Sequence, residues 1–82
     1  MMAVRIVAER APYLLLARDN LYAVVERRAS RLYALHGVRA SAPMTDAGVD
    51  AVVGDDWSDE NRAHRLFDDI VARYAEVAER LW

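Results

Sequence analysis

Cysteine and lysine are both missing from this chain, glycine occurs only three times, and all eleven basic side chains are arginine. Each shortage removes some chemistry. Without cysteine there is no disulfide to staple a short fold, no thiol nucleophile and no thiolate metal site. Without lysine there is no Schiff-base catalysis and no phosphate-binding loop of the kind whose lysine reaches the phosphates. Gly37, Gly48 and Gly54 are too scattered to cradle a phosphate. Long apolar runs are also missing. The densest, Tyr13 to Ala17, is far too short to cross a bilayer, and Arg5 and Glu9 interrupt the stretch where a signal peptide would be apolar. These features lead us to expect a soluble, cytoplasmic protein. The lack of lysine and cysteine beside abundant alanine, valine and arginine suggests the codon bias of a G+C-rich bacterial genome.

What is present is one small domain, residues 1–82, with 55% hydrophobic and 29% charged residues. A core of this size rarely supplies more than about 3–5 kcal/mol without a disulfide, a metal or oligomerisation. The formal charge of −2 conceals an asymmetry. Residues 1–44 hold seven arginines against three acids, whereas 45–82 hold four arginines against ten. The two halves should therefore attract, within the chain or between copies. No repeat, low-complexity tract or internal domain boundary is visible.

The C-terminal part reads as helix. Ala63, Leu66, Phe67, Ile70, Tyr74, Val77 and Leu81 recur at spacings of three and four, predicting a helix over 59–81 with Ser58 as N-cap and Asp59 and Glu60 in the first turn. A shorter helix over 46–53 is opened by Thr45, carries Val49, Val52 and Val53, and stops at Gly54. The short connection from Gly54 to Trp57 predicts that the two pack antiparallel. Gly48 and three valines make the first of them intrinsically weak.

Residues 13–36 admit two readings. As one helix, Leu14, Leu21, Val24, Val25, Leu32 and Leu35 form a stripe between Pro12 and Gly37, giving an all-α bundle. As strands, 13–18 and 21–27 flank Asp19-Asn20, and 32–36 follow a turn at 28–30. A two-residue turn at Asp19-Asn20 pairs Leu16 with Ala23 and Leu14 with Val25. A three-residue loop from Arg28 to Ser30 then pairs Val25 with Tyr33 and Ala23 with Leu35. The resulting face is apolar throughout, whereas a two-residue turn at Ala29-Ser30 would place Arg27 and His36 on it. An additional strand at 3–8 could extend the sheet, and 37–44 would be a loop. We therefore favour an α+β fold, a three- to four-stranded antiparallel meander followed by two helices.

No pattern specifies catalysis. Glu60, His64 and Asp68 share a helix face, a spacing that could serve proton transfer or a metal but also arises on any solvated ion-pair surface. Asp55, Asp56, Asp59 and Glu60 surround Trp57 without the alternating ligand spacing of a calcium loop. His36 reads as a strand-end residue, and Ser30, Ser41 and Ser58 sit in turn or cap contexts. No cofactor, metal, membrane or small-molecule substrate is expected. The leading expectation is a non-catalytic interaction or regulatory module, a homodimer or a binder of another protein. Its candidate contact residues are Leu15, Tyr22, Val24, Leu32, Trp57 and Trp82, because Leu15, Tyr22, Val24 and Leu32 would lie on the far sheet face, left uncovered. The alternative is a nucleic-acid-binding module in which Arg27, Arg28 and Arg31 form a basic tip with Tyr22 and Tyr33 nearby.

Overall fold

The computed structural model describes residues 3–35 and 41–81, with side chains described as far as Ala78. The expectations placed on His36, Gly37 and Trp82 lie outside the described residues. Strands β1 (Arg5–Arg10), β2 (Tyr13–Arg18), β3 (Leu21–Arg28), β4 (Arg31–Tyr33) and β5 (Ser41–Pro43) form one antiparallel sheet in chain order. Helices α1 (Asp46–Val53) and α2 (Glu60–Leu81) follow. The fold is α+β, as the strand reading predicts, and the all-helical alternative is not adopted. The sheet has five strands rather than three or four. Its fifth lies in the expected 37–44 loop, where three residues ending in proline give no strand signature, and an edge position tolerates that proline. The first strand begins at Arg5 rather than Ala3 and turns into β2 through a cis Ala11–Pro12 peptide.

The β2–β3 register is the expected one, with Leu14 opposite Val25 and Leu16 opposite Ala23. The β3–β4 register corrects the sequence reading. Arg27 faces Leu32 and Arg28 faces Arg31, so the turn is the two-residue Ala29-Ser30. Both residues hold a positive φ, 48° and 68°, the backbone that fits a tight hairpin but that glycine or asparagine would normally announce. This slip of one residue moves Leu32 to the α1 side of the sheet and Leu35 to the other. The objection to this register was an arginine on an apolar face. Arg27 meets it by extending from the strand end to pair with Glu9 on β1, keeping its charged head in water.

Alternation along the strands builds two cores rather than one. Leu14, Leu16, Val25 and Leu32 point to one side and pack against Val49, Val52 and Val53 of α1. Leu15 and Val24 point to the other and pack against Ala63 and Phe67 of α2. The helices therefore cover opposite faces of the sheet, instead of forming the side-by-side antiparallel pair that the short connection suggested. The chain crosses from one face to the other beside β3. Among the described residues β4 pairs with β3 only at its Glu26–Arg28 end, and the start of β3 bonds instead to Ser58: Tyr22 N–H donates to the Ser58 carbonyl at 2.8 Å and Ser58 N–H donates to the Tyr22 carbonyl at 2.9 Å.

The helix ends follow from local chemistry. Thr45 Oγ1 accepts the Gly48 N–H at 3.0 Å, and Gly54, with φ 56°, closes α1 by donating to the Asp50 carbonyl at 2.9 Å. For α2 the cap is Asp59 rather than Ser58, with Asp59 Oδ1 accepting the Arg62 N–H at 2.8 Å. Ser58 is committed to the bridge with β3, which shifts the helix start by one residue.

Candidate interaction surface

The 22 residues of α2 make a rod about 33 Å long, whereas the six to eight residues of β2 and β3 reach only about 20–27 Å. An apolar stripe continuing to the helix end cannot all be seated on that sheet. Ala63 and Phe67 are buried, and Ile70 and Val71 are half-buried. Tyr74 is 49% exposed and Val77 54% exposed, and on the flank of the stripe Leu66 is 40% exposed. Leu66, Ile70, Tyr74 and Val77 thus form a ridge at spacings of four, four and three along one side of α2.

Aromatic contacts hold the helix in place beneath this ridge. The rings of Tyr13 and Tyr74 meet edge to face at 5.8 Å between centroids. Burial raises the Tyr13 hydroxyl above its usual range, and the neighbouring Glu26 carboxylate adds to the effect. Tyr22 lies against His64, 6.4 Å between centroids. Glu60 and Asp68 are exposed on either side of that histidine in the sequence. Among the described residues no cluster of three metal-ligating side chains occurs.

The expected contact residues are mostly occupied within the chain. Leu15 and Val24 lie under α2, Leu32 lies under α1, and Tyr22 packs beside the second core. The far sheet face that was to need a partner is covered by α2, a consequence of the helices separating to opposite sides. Trp57 packs against the first core beneath the Arg18 guanidinium, 4.5 Å from its ring centroid, and Arg18 also pairs with Asp50 of α1. Sequence reasoning missed this Arg18–Trp57–Asp50 contact, because it joins β2 to residues far along the chain. It likewise missed Asp46, whose carboxylate accepts the backbone N–H groups of Ala3 at 2.8 Å and Val4 at 3.3 Å. Those donors, led by Ala3, hold the Asp46 carboxyl below its usual range.

The arginines of the β3–β4 turn are also engaged locally. Arg27 pairs with Glu9, and Arg28 pairs with Glu26 while covering the Tyr33 ring at 5.6 Å. Its carboxylate partner raises the Arg28 guanidinium further above its usual value. Arg31 donates from Nε to Ser41 Oγ at 3.1 Å and from Nη2 to the Ser41 carbonyl at 3.2 Å, stitching β4 to β5. A cavity of about 350 Å³ opens beside β3, lined by Val24, Leu35, Val53, Trp57, Arg62 and Leu66 among others. Trp57 Nε1 is buried without a hydrogen-bond partner among the described residues. No helix among them is long and apolar enough to cross a membrane. No protein-family model, no curated protein and no solved structure matches this chain.

Proposed function

We propose that this chain is a non-catalytic protein–protein interaction or regulatory module that works as a homo-oligomer, and that the α2 ridge is its contact surface. The observation that carries this reading is the row of Leu66, Ile70, Tyr74 and Val77, the last two about half-exposed although Tyr74 still touches Tyr13 of β2. Isolated exposed apolar side chains are ordinary on any surface, but four in register on a rigid helix form a continuous strip of the kind found at binding faces. This location replaces the sheet face favoured by sequence reasoning. Charge supports self-association over a strongly charged partner, because acidic and basic side chains are interspersed along α2 and the chain carries only −2 in total.

The test is light scattering across a concentration series. The wild type should shift from monomer to dimer between low and high micromolar concentration. Val77→Asp, at a half-exposed position, should stay monomeric with an unchanged circular dichroism spectrum. A wild-type chain that is strictly monomeric at high micromolar concentration overturns the reading.

A further inference from the structure

We infer that the α2 ridge takes a second copy of itself, antiparallel, about a two-fold axis near the middle of the helix. This rests on the proposed function and specifies its partner and register. A closed dimer requires a surface that is its own complement, each contact occurring twice. The ridge has this property. With the helices reversed, Leu66 of one protomer faces Val77 of its partner and Ile70 faces Tyr74, so each pair matches a residue from the N-terminal half of the ridge with one from its more exposed C-terminal half.

The flanking charges select the same register. Asp69 and Arg73 lie one turn apart beside the ridge, and neither makes an ion pair or hydrogen bond within the chain among the described residues. In the arrangement that matches Leu66 with Val77, Asp69 of each protomer faces Arg73 of the other, giving two symmetric ion pairs. Only an antiparallel pair brings the same flank of both helices together, which is what lets Asp69 of one copy meet Arg73 of the other. Leu66, at the N-terminal end of the ridge, borders the open cavity beside β3. Leu66, Tyr74 and Val77 are about half-exposed and Ile70 less, so the ridge alone removes only on the order of 600 Å² in total, below the size of a stable specific interface, and the flanking charged side chains add the rest. The dimer is therefore reversible and concentration-dependent.

The experiment is a charge swap read by sedimentation equilibrium at low salt, with circular dichroism confirming the fold of each variant. Asp69→Arg alone and Arg73→Asp alone turn both ion pairs into like-charge contacts, and each should weaken dimerisation about tenfold or more. The double variant restores two opposite-charge pairs and should return to within about twofold of the wild type. If the wild type dimerises but single reversals have no effect, or the double variant fails to recover, the antiparallel register is overturned while the α2 ridge as an interaction surface survives. A wild-type chain that does not associate overturns both.

Discussion

Gly48 stands in the first turn of α1, where glycine costs up to about 1 kcal/mol relative to alanine. On helix propensity alone, Gly48→Ala should therefore stabilise the protein. The structure predicts the opposite sign. A Cβ on Gly48 would lie 1.9 Å from the carbonyl oxygen of Pro43 and 3.0 Å from its carbon, and neither is the movable end of a side chain. Carbon and oxygen approach to about 3.3 Å, so α1 and β5 would have to part by roughly 1.4 Å. That oxygen also accepts the Thr45 N–H at 2.8 Å, so the turn that caps α1 would be disturbed as well. Overpacking of this kind costs about 1–3 kcal/mol and the weakened turn bond about 1 kcal/mol, against a propensity gain of about 1 kcal/mol. The net expectation is a loss of about 1–3 kcal/mol, or a melting temperature lower by roughly 4–8 °C for each kcal/mol in a domain of this size. Urea and thermal unfolding followed by circular dichroism measure it. Ala51→Gly, at an exposed site on the same helix, supplies the control and should cost about 1 kcal/mol by propensity alone. Opposite substitutions would then both destabilise, which propensity cannot explain. A Gly48→Ala protein as stable as the wild type, or more so, refutes the close approach of α1 to β5.

Three other outcomes follow from the same structure. Phe67→Ala removes the largest buried side chain joining α2 to the sheet and should cost about 3–5 kcal/mol in urea unfolding; a cost below about 1 kcal/mol would mean that α2 is not docked there. Ser30→Gly relieves a positive φ of 68° and should raise stability by about 1 kcal/mol, whereas a lower melting temperature would argue against the two-residue turn. The lowered Asp46 carboxyl makes its tether to Ala3 and Val4 present above the ordinary carboxylate range and lost as pH falls through the lowered value. The Val4 amide resonance should report that titration and Asp46→Asn should abolish it, so an amide shift indifferent to both would remove the tether.

The sequence was most legible where one residue's neighbours decide its fate. Thr45 and Gly54 mark the ends of α1, and the stripe from Ala63 to Val77 marks α2, because caps and helical spacing act within a turn or two. The β2–β3 register followed from matching Leu14 and Leu16 to Val25 and Ala23. Features set by distant partners were hidden. Arg27 is acceptable on an apolar face only because Glu9 is two strands away to receive it, and no local pattern indicates that. The stripe on α2 shows that the helix buries one side, but not which face of a sheet with Leu14 on one side and Leu15 on the other will receive it. The apolar residues on both faces of β2 and β3 were the available clue to a helix on each. In the sequence alone they describe equally well a surface awaiting another protein. The ridge on α2 was visible as spacing, but its exposure depends on the helix outrunning the strands, which only their relative lengths in three dimensions reveal.

The crossing beside Ser58 also bears on how the chain is made. All five strands and α1 precede Gly54, so during synthesis the sheet and its first covering layer can assemble while α2 is still being added. Through that interval Leu15 and Val24 belong to a bare face, since Ala63 and Phe67 follow the five strands and α1 along the chain. The segment of α2 that closes the fold is thus translated after the surface it protects, and association between nascent or truncated chains is favoured in that window. A chain that ends before Phe67 would carry the same open face permanently.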